Sequence, residues 1–153
     1  MKKLFLITAL ISQFVFARTS EPAKLDGAYI MKLKIGDKVF EDQLTIKAEK
    51  EDTVISVNSY NGGITGELTV PGMFTSPVIG HAICVKFESQ CKLKFEITAN
   101  ENGQSYKVFY EGSVAGHDYH LIRQGRVKPH FTGQATLEDG SVLGTFVAEQ
   151  VSQ

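Results

Sequence analysis

The stretch 130-HFTGQATLEDGSVLGTFVAE-149 decides the fold. It reads as two strands joined at Asp139-Gly140, a pair that suits a two-residue type I′ turn because both central residues tolerate positive φ. That turn sets Leu137 opposite Val142, Ala135 opposite Gly144, Gly133 opposite Phe146 and Phe131 opposite Ala148, giving one apolar face. The other face pairs Thr136 with Leu143, Gln134 with Thr145 and Thr132 with Val147. A single hairpin cannot bury its apolar face alone, so further strands must surround it.

The chain upstream repeats this construction. Gly36-Asp37 places Gly at the first central position of a turn, setting Leu33 opposite Phe40, Tyr29 opposite Leu44 and Lys32 opposite Glu41. In that register Asp42 falls on the apolar face, opposite Met31. Asn61-Gly62 carries the strongest short hairpin signal and predicts Ile55 opposite Leu68, Val57 opposite Gly66 and Ser59 opposite Ile64. Asn102-Gly103 predicts Ala99 opposite Tyr106, Ile97 opposite Val108, Phe95 opposite Tyr110 and Leu93 opposite Gly112, with Lys94 facing Glu111 outside. A further turn at Ala115-Gly116 pairs Tyr110 with Leu121 and Val108 with Arg123, so Arg123 becomes a second charge on an apolar face.

Between these hairpins, residues 71–82 (PGMFTSPVIGHA) read as a long connection with two prolines and two glycines. Met73, Phe74, Val78 and Ile79 make it a candidate lid or binding loop over one end of the core. The strand from Ile83 to Glu88 puts Ile83, Val85 and Phe87 on one face. Its link to the next strand is open to two readings. A three-residue loop pairs Val85 with Phe95, whereas a two-residue turn sets Cys84 opposite Cys91 and misaligns the apolar faces, unless a bulge reconciles them.

The sum is an all-β, antiparallel, up-and-down meander of about 8–10 strands, with no convincing amphipathic helix. A meander of that length closes into a barrel or flattened clam, which removes its edges. The predicted outward face carries Lys32, Glu41, Glu67, Lys94, Lys107 and Glu111, so the barrel is expected to be soluble and not lipid-facing. Asp26-Gly27-Ala28-Tyr29 at the start of the first strand, the tight hairpins and Gly144-Thr145-Phe146 in a late strand resemble the calycin group of lipocalins, avidins and fatty-acid-binding proteins. The lipocalin start usually has Trp where this chain has Tyr29. The resemblance implies a barrel that holds a small ligand inside.

The chain has 153 residues, enough for one domain with a sizeable core. Lys2 and Lys3 precede a mainly apolar run, Leu4 to Phe14, that is short for a membrane span. Residues 1–17 read as a secretory signal of bacterial type cleaved after Ala17, residues 18–24 as a flexible leader, and 25–153 as one β-barrel domain. Without residues 1–17, 14 of the 16 basic residues face 17 acidic ones, a formal charge of −3. No basic stripe invites nucleic acid, and no later apolar run spans a membrane. Two cysteines, Cys84 and Cys91, suit one disulfide in a periplasmic or secreted protein.

No nucleophile constellation, phosphate loop or dinucleotide fingerprint is readable, so no enzyme activity and no cofactor are expected. His117-Asp118-Tyr119-His120 is the one local cluster that resembles metal ligands, but alternation puts the two histidines on opposite faces. Tyr29, Tyr106, Tyr110 and Tyr119 fall on the inner face with Asp42 and Arg123, a candidate ligand-binding set. Small inward residues (Gly66, Gly112, Gly133, Ala135, Gly144) leave room for a ligand or, equally, for Phe146 and Tyr119 to lie over them. The expected function is interior binding of a small, partly apolar or amphipathic molecule. The alternative is a cell-envelope interaction or structural protein with a filled core that works through the surface of residues 71–82.

Overall fold

The computed structural model describes residues 25–48, 59–85, 90–115, 121–122 and 124–152. They form eight antiparallel strands: β1 (Gly27–Ile35), β2 (Lys38–Ala48), β3 (Ser59–Val70), β4 (Phe74–Val85), β5 (Gln90–Glu101), β6 (Gln104–Ala115), β7 (His130–Leu137) and β8 (Val142–Ser152). Each pairs with its neighbour in sequence, and β8 pairs with β1 to close the barrel. The fold class is therefore the expected one, with eight strands.

Two turns hold the expected register. Gly36 takes φ 59° and sets Leu33 opposite Phe40, Met31 opposite Asp42 and Tyr29 opposite Leu44. Asn102 and Gly103 both take positive φ, 51° and 77°, as a type I′ turn requires, and the β5–β6 ladder follows as predicted.

Asn61-Gly62, by contrast, is no turn. Both residues lie within β3, opposite Ile83 and Ala82, and the Asn61 amide oxygen meets the His81 ring across the strands. The reversal comes instead at Pro71-Gly72-Met73, where Gly72 takes φ 76° and Met73 N–H donates to the Val70 carbonyl at 3.1 Å. Pro at the second position and Gly at the third are the chemistry of a type II turn. Residues 71–82 are thus a three-residue turn and most of a strand, not a long loop. Of the residues predicted to face β3 across that turn, Ile55 and Val57 lie outside the described residues, and Ser59 begins β3 itself.

The β4–β5 register sets Cys84 opposite Cys91, at disulfide distance, with Ala82 opposite Leu93 and Gly80 opposite Phe95. This inverts the predicted face of β4. Ala82 and Cys84 point inward, while Ile79 and Ile83 point outward and are 62% and 42% exposed. The small residues Gly80 and Ala82 leave space for Phe95 and Leu93, so volume decides the face here and hydrophobicity does not.

Leu121 and Ile122 are helical rather than extended, and Gly125 and Arg126 N–H donate back to their carbonyls. Tyr110 therefore pairs with Ala135 of β7, not with Leu121. Arg123, Tyr119 and the His117–His120 cluster lie outside the described residues, as do the leader and signal segments at 1–24.

The opening hairpin holds from Ala135–Gly144 through Phe131–Ala148, but its tip differs. Gly140 N–H donates to the Leu137 carbonyl, Gly140 takes φ 83°, and Asp139 stays at negative φ. This is a three-residue loop, a type I turn closed by a left-handed Gly. Asp139 accepts from the backbone and hydroxyl of Ser141. The extra residue shifts the pairing to Thr136–Val142 and leaves Leu143 in a bulge.

The middle of the barrel is filled. Phe95 and Tyr110 stack with ring centroids 4.7 Å apart, and Phe146 packs edge-on against both. Phe146 lies over Gly112, where an added Cβ would sit 2.7 Å from its ring. At Gly66 and Gly133 a Cβ would meet the neighbouring backbone at 1.9 Å in each case. These glycines serve close strand approach and leave no room for a ligand. The outer wall carries the predicted charges, with Lys94 paired to Glu111 at 3.1 Å. No described helix is long and apolar enough to cross a membrane.

Candidate ligand pocket at the barrel mouth

The two ends of the barrel differ. At one end Tyr29 is buried and its hydroxyl donates to the Leu25 carbonyl at 2.7 Å. Gln150 donates to the Asp26 carbonyl at 2.9 Å, and Phe131 packs beside Tyr29. Burial raises the Tyr29 phenol far above its ordinary range, so it stays neutral. Tyr29 is thus a core tyrosine with its hydroxyl satisfied, away from the other candidate ligand residues.

The opposite end carries the four tight turns of the described residues, at 36–37, 71–73, 102–103 and 138–140. Here the strands part. The β4–β5 ladder stops at Ile79–Glu96, the β2–β3 ladder at Gln43–Thr69 and the β6–β7 ladder at Val108–Leu137. A single side chain bridges the β4–β5 gap: Thr98 N–H donates to the buried Ser76 hydroxyl at 2.9 Å. Beyond it a pocket of about 170 Å³ opens, floored by Tyr110 and walled by Leu33, Val70, Ile97 and Val108. Among its lining residues Met73 is 56% and Phe40 38% exposed, which gives the opening an apolar rim.

Asp42 lines this pocket. It is 2% exposed, and its Oδ1 atom has no hydrogen-bond partner among the described residues. Burial pushes its carboxyl up from 3.8 to about 6. Tyr110 is raised far above its ordinary range, chiefly by burial and then by the Asp42 charge and Tyr106. Glu101 also lines the pocket and accepts from the Tyr106 hydroxyl at 3.3 Å. Tyr106 is raised by burial and by that neighbour. Among the described residues no Lys, Arg or His contributes to the lining.

Of the residues singled out in sequence, Asp42, Tyr106, Tyr110, Met73 and Phe74 meet here. Val78 is core and Ile79 points outward, so neither touches the pocket. Glu101 and Leu143 were missed. Glu101 continues the inward parity of Ile97 and Ala99 up to the Asn102 turn, so alternation could have found it. Leu143 reaches the pocket through the β8 bulge, for which the sequence carries no signal.

A larger depression of about 850 Å³ runs over the outer wall of β4–β7. Its charged lining includes the exposed Lys94–Glu111 pair and none of the buried polar side chains, so the mouth is the candidate site. Among the described residues no three His, Cys, Asp or Glu side chains converge as metal ligands. Comparison with protein-family models, with curated proteins and with solved structures returns no match.

Proposed function

We propose that this chain is an exported barrel of calycin type that takes a small, partly apolar group at its open end. The carrying observation is the apolar pocket of about 170 Å³ under an apolar rim. That volume is near the roughly 150 Å³ of a dry cavity that binds benzene, and below the range of about 300–1,000 Å³ usual for drug-sized ligands. The pocket therefore suits one ring or a short branched chain, with any remainder of the ligand resting on the rim. The aromatic packing of Phe95, Tyr110 and Phe146 argues against a ligand threaded along the axis. Export is supported by the Lys2-Lys3 and apolar start and by the cysteine pair.

The filled centre and the exposed rim favour a second reading, in which a protein partner covers the mouth. Native mass spectrometry of protein purified from its own host separates the two. A co-purifying small molecule supports the first reading. A bound protein that is released by Met73→Asp supports the second, and a bare chain refutes both.

A further inference from the structure

Two properties of the mouth pocket point the same way. Its polar lining is acidic: Asp42 and Glu101 contribute carboxylates, and among the described residues no basic side chain lines it. Asp42 is also buried with an oxygen that nothing among the described residues satisfies. A buried carboxylate without a donor is costly, and the cost is removed when a donor or a cation arrives. Around it stand the rings of Phe40, Phe74, Tyr106 and Tyr110. Aromatic faces attract organic cations, more so where water is excluded.

We infer that the pocket selects a small organic cation, a primary ammonium on an apolar body, with Asp42 receiving the charged head. This rests on the reading of the mouth as a small-ligand pocket and names the ligand class. The ammonium donates to the free Asp42 oxygen. Its apolar body lies against Leu33, Val70 and Ile97, and Glu101 with Tyr106 guards the rim. An anion of the same shape meets two carboxylates and is excluded. A neutral isostere fits the walls and leaves Asp42 unsatisfied.

Among the described residues the groups that line the pocket with Asp42 and titrate are Glu101 on β5 and Tyr106 and Tyr110 on β6. From β1, β3, β4 and β8 the lining is apolar. Since the Asp42 carboxyl is held near 6, it is about nine-tenths protonated at pH 5 and ionised at pH 7.5. Cation affinity should then fall about tenfold between pH 7.5 and pH 5, while neutral binding stays level.

The test uses benzylammonium, toluene and benzoate, titrated into the full mature chain and followed by backbone amide shifts in solution. The expected result is shifts centred on the pocket lining. Benzylammonium should bind at least tenfold tighter than toluene at pH 7.5, with benzoate weakest. Asp42→Asn should abolish the preference for benzylammonium over toluene and its pH dependence. Toluene binding as tight as benzylammonium overturns the cation inference and leaves the pocket reading standing. A preference lost in Glu101→Gln but kept in Asp42→Asn overturns the role of Asp42. Binding of none of the three, or shifts confined to the outer wall, overturns the pocket reading itself.

Discussion

Asp42→Asn isolates the energetic cost of the one unsatisfied carboxylate in the described core. The Asp42 carboxyl is raised from 3.8 to about 6 because burial disfavours its charge. The folded state therefore holds its proton more tightly than the unfolded chain does. Between those two values unfolding releases a proton, so this group's contribution to stability is present at low pH and is lost as pH rises towards 6. With about 1.36 kcal/mol for each pH unit, a shift of this size costs the folded state about 3 kcal/mol above pH 7. Asparagine has nearly the same shape and no charge. Its amide brings its own desolvation cost, but that cost does not change with pH. The stability difference between variant and parent should therefore move in favour of asparagine by about 2 kcal/mol between pH 4 and pH 7.5. Urea unfolding at several pH values reads this directly, and the other carboxylates cancel in the difference. A difference that stays flat across that range would refute the claim that Asp42 is buried and unpaired.

Five further outcomes are expected. Reducing or removing the Cys84–Cys91 link, which closes a loop of separation 7, should cost about 2 kcal/mol in the loop-entropy account; unchanged urea midpoints would argue against it. Tyr29→Phe should cost about 1–2 kcal/mol, since the Leu25 carbonyl loses its buried donor, and thermal unfolding would register it. Lys94→Ala should change stability by less than about 0.5 kcal/mol, because its pair with Glu111 is exposed on both sides. Gly133→Ala, whose Cβ meets backbone at 1.9 Å, should cost about 3 kcal/mol or more. Gly112→Ala meets only the Phe146 ring and should be partly rescued by Phe146→Leu, a coupling that a double-mutant cycle measures.

The two Asn-Gly pairs show how far local signals reach. At Asn102-Gly103 the flanking residues pair with each other in any reading, so local and long-range demands agree. At Asn61-Gly62 they conflict. A turn there would end the strand, while the Pro71-Gly72 turn lets β3 and β4 form twelve consecutive pairs. The longer ladder wins, and Asn61 is left in extended backbone. The Pro71-Gly72 signal is present in the sequence, but the residues after it do not alternate cleanly, so the segment reads as a long connection. That lack of alternation has a physical source. β4 turns Gly80 and Ala82 inward and Ile79 and Ile83 outward, the reverse of what hydrophobicity suggests, because Phe95 and Leu93 on β5 already occupy the space.

The same competition for space explains where a site can exist. In the middle of the barrel the glycines bring strands together and the rings of Phe95, Tyr110 and Phe146 fill what remains. Among the described residues the wall opens beyond the last pairs of β4 with β5, of β2 with β3 and of β6 with β7. There the Ser76 hydroxyl holds the seam and the bulge at Leu143 turns an apolar side chain towards the gap. Of the buried polar side chains, Ser76 and Gln150 have hydrogen-bond partners, whereas Asp42 has an oxygen with none among the described residues. A sequence that satisfies its interior elsewhere yet keeps a carboxylate at this point departs from the rule that buried charge is paired, and such departures concentrate at functional sites. A leucine in place of Asp42 would extend the apolar face of β2 from Phe40 through Leu44 and Ile46 without a break. The acid therefore adds nothing to folding that an apolar residue would not supply. Its consequence lies in what the mouth can attract.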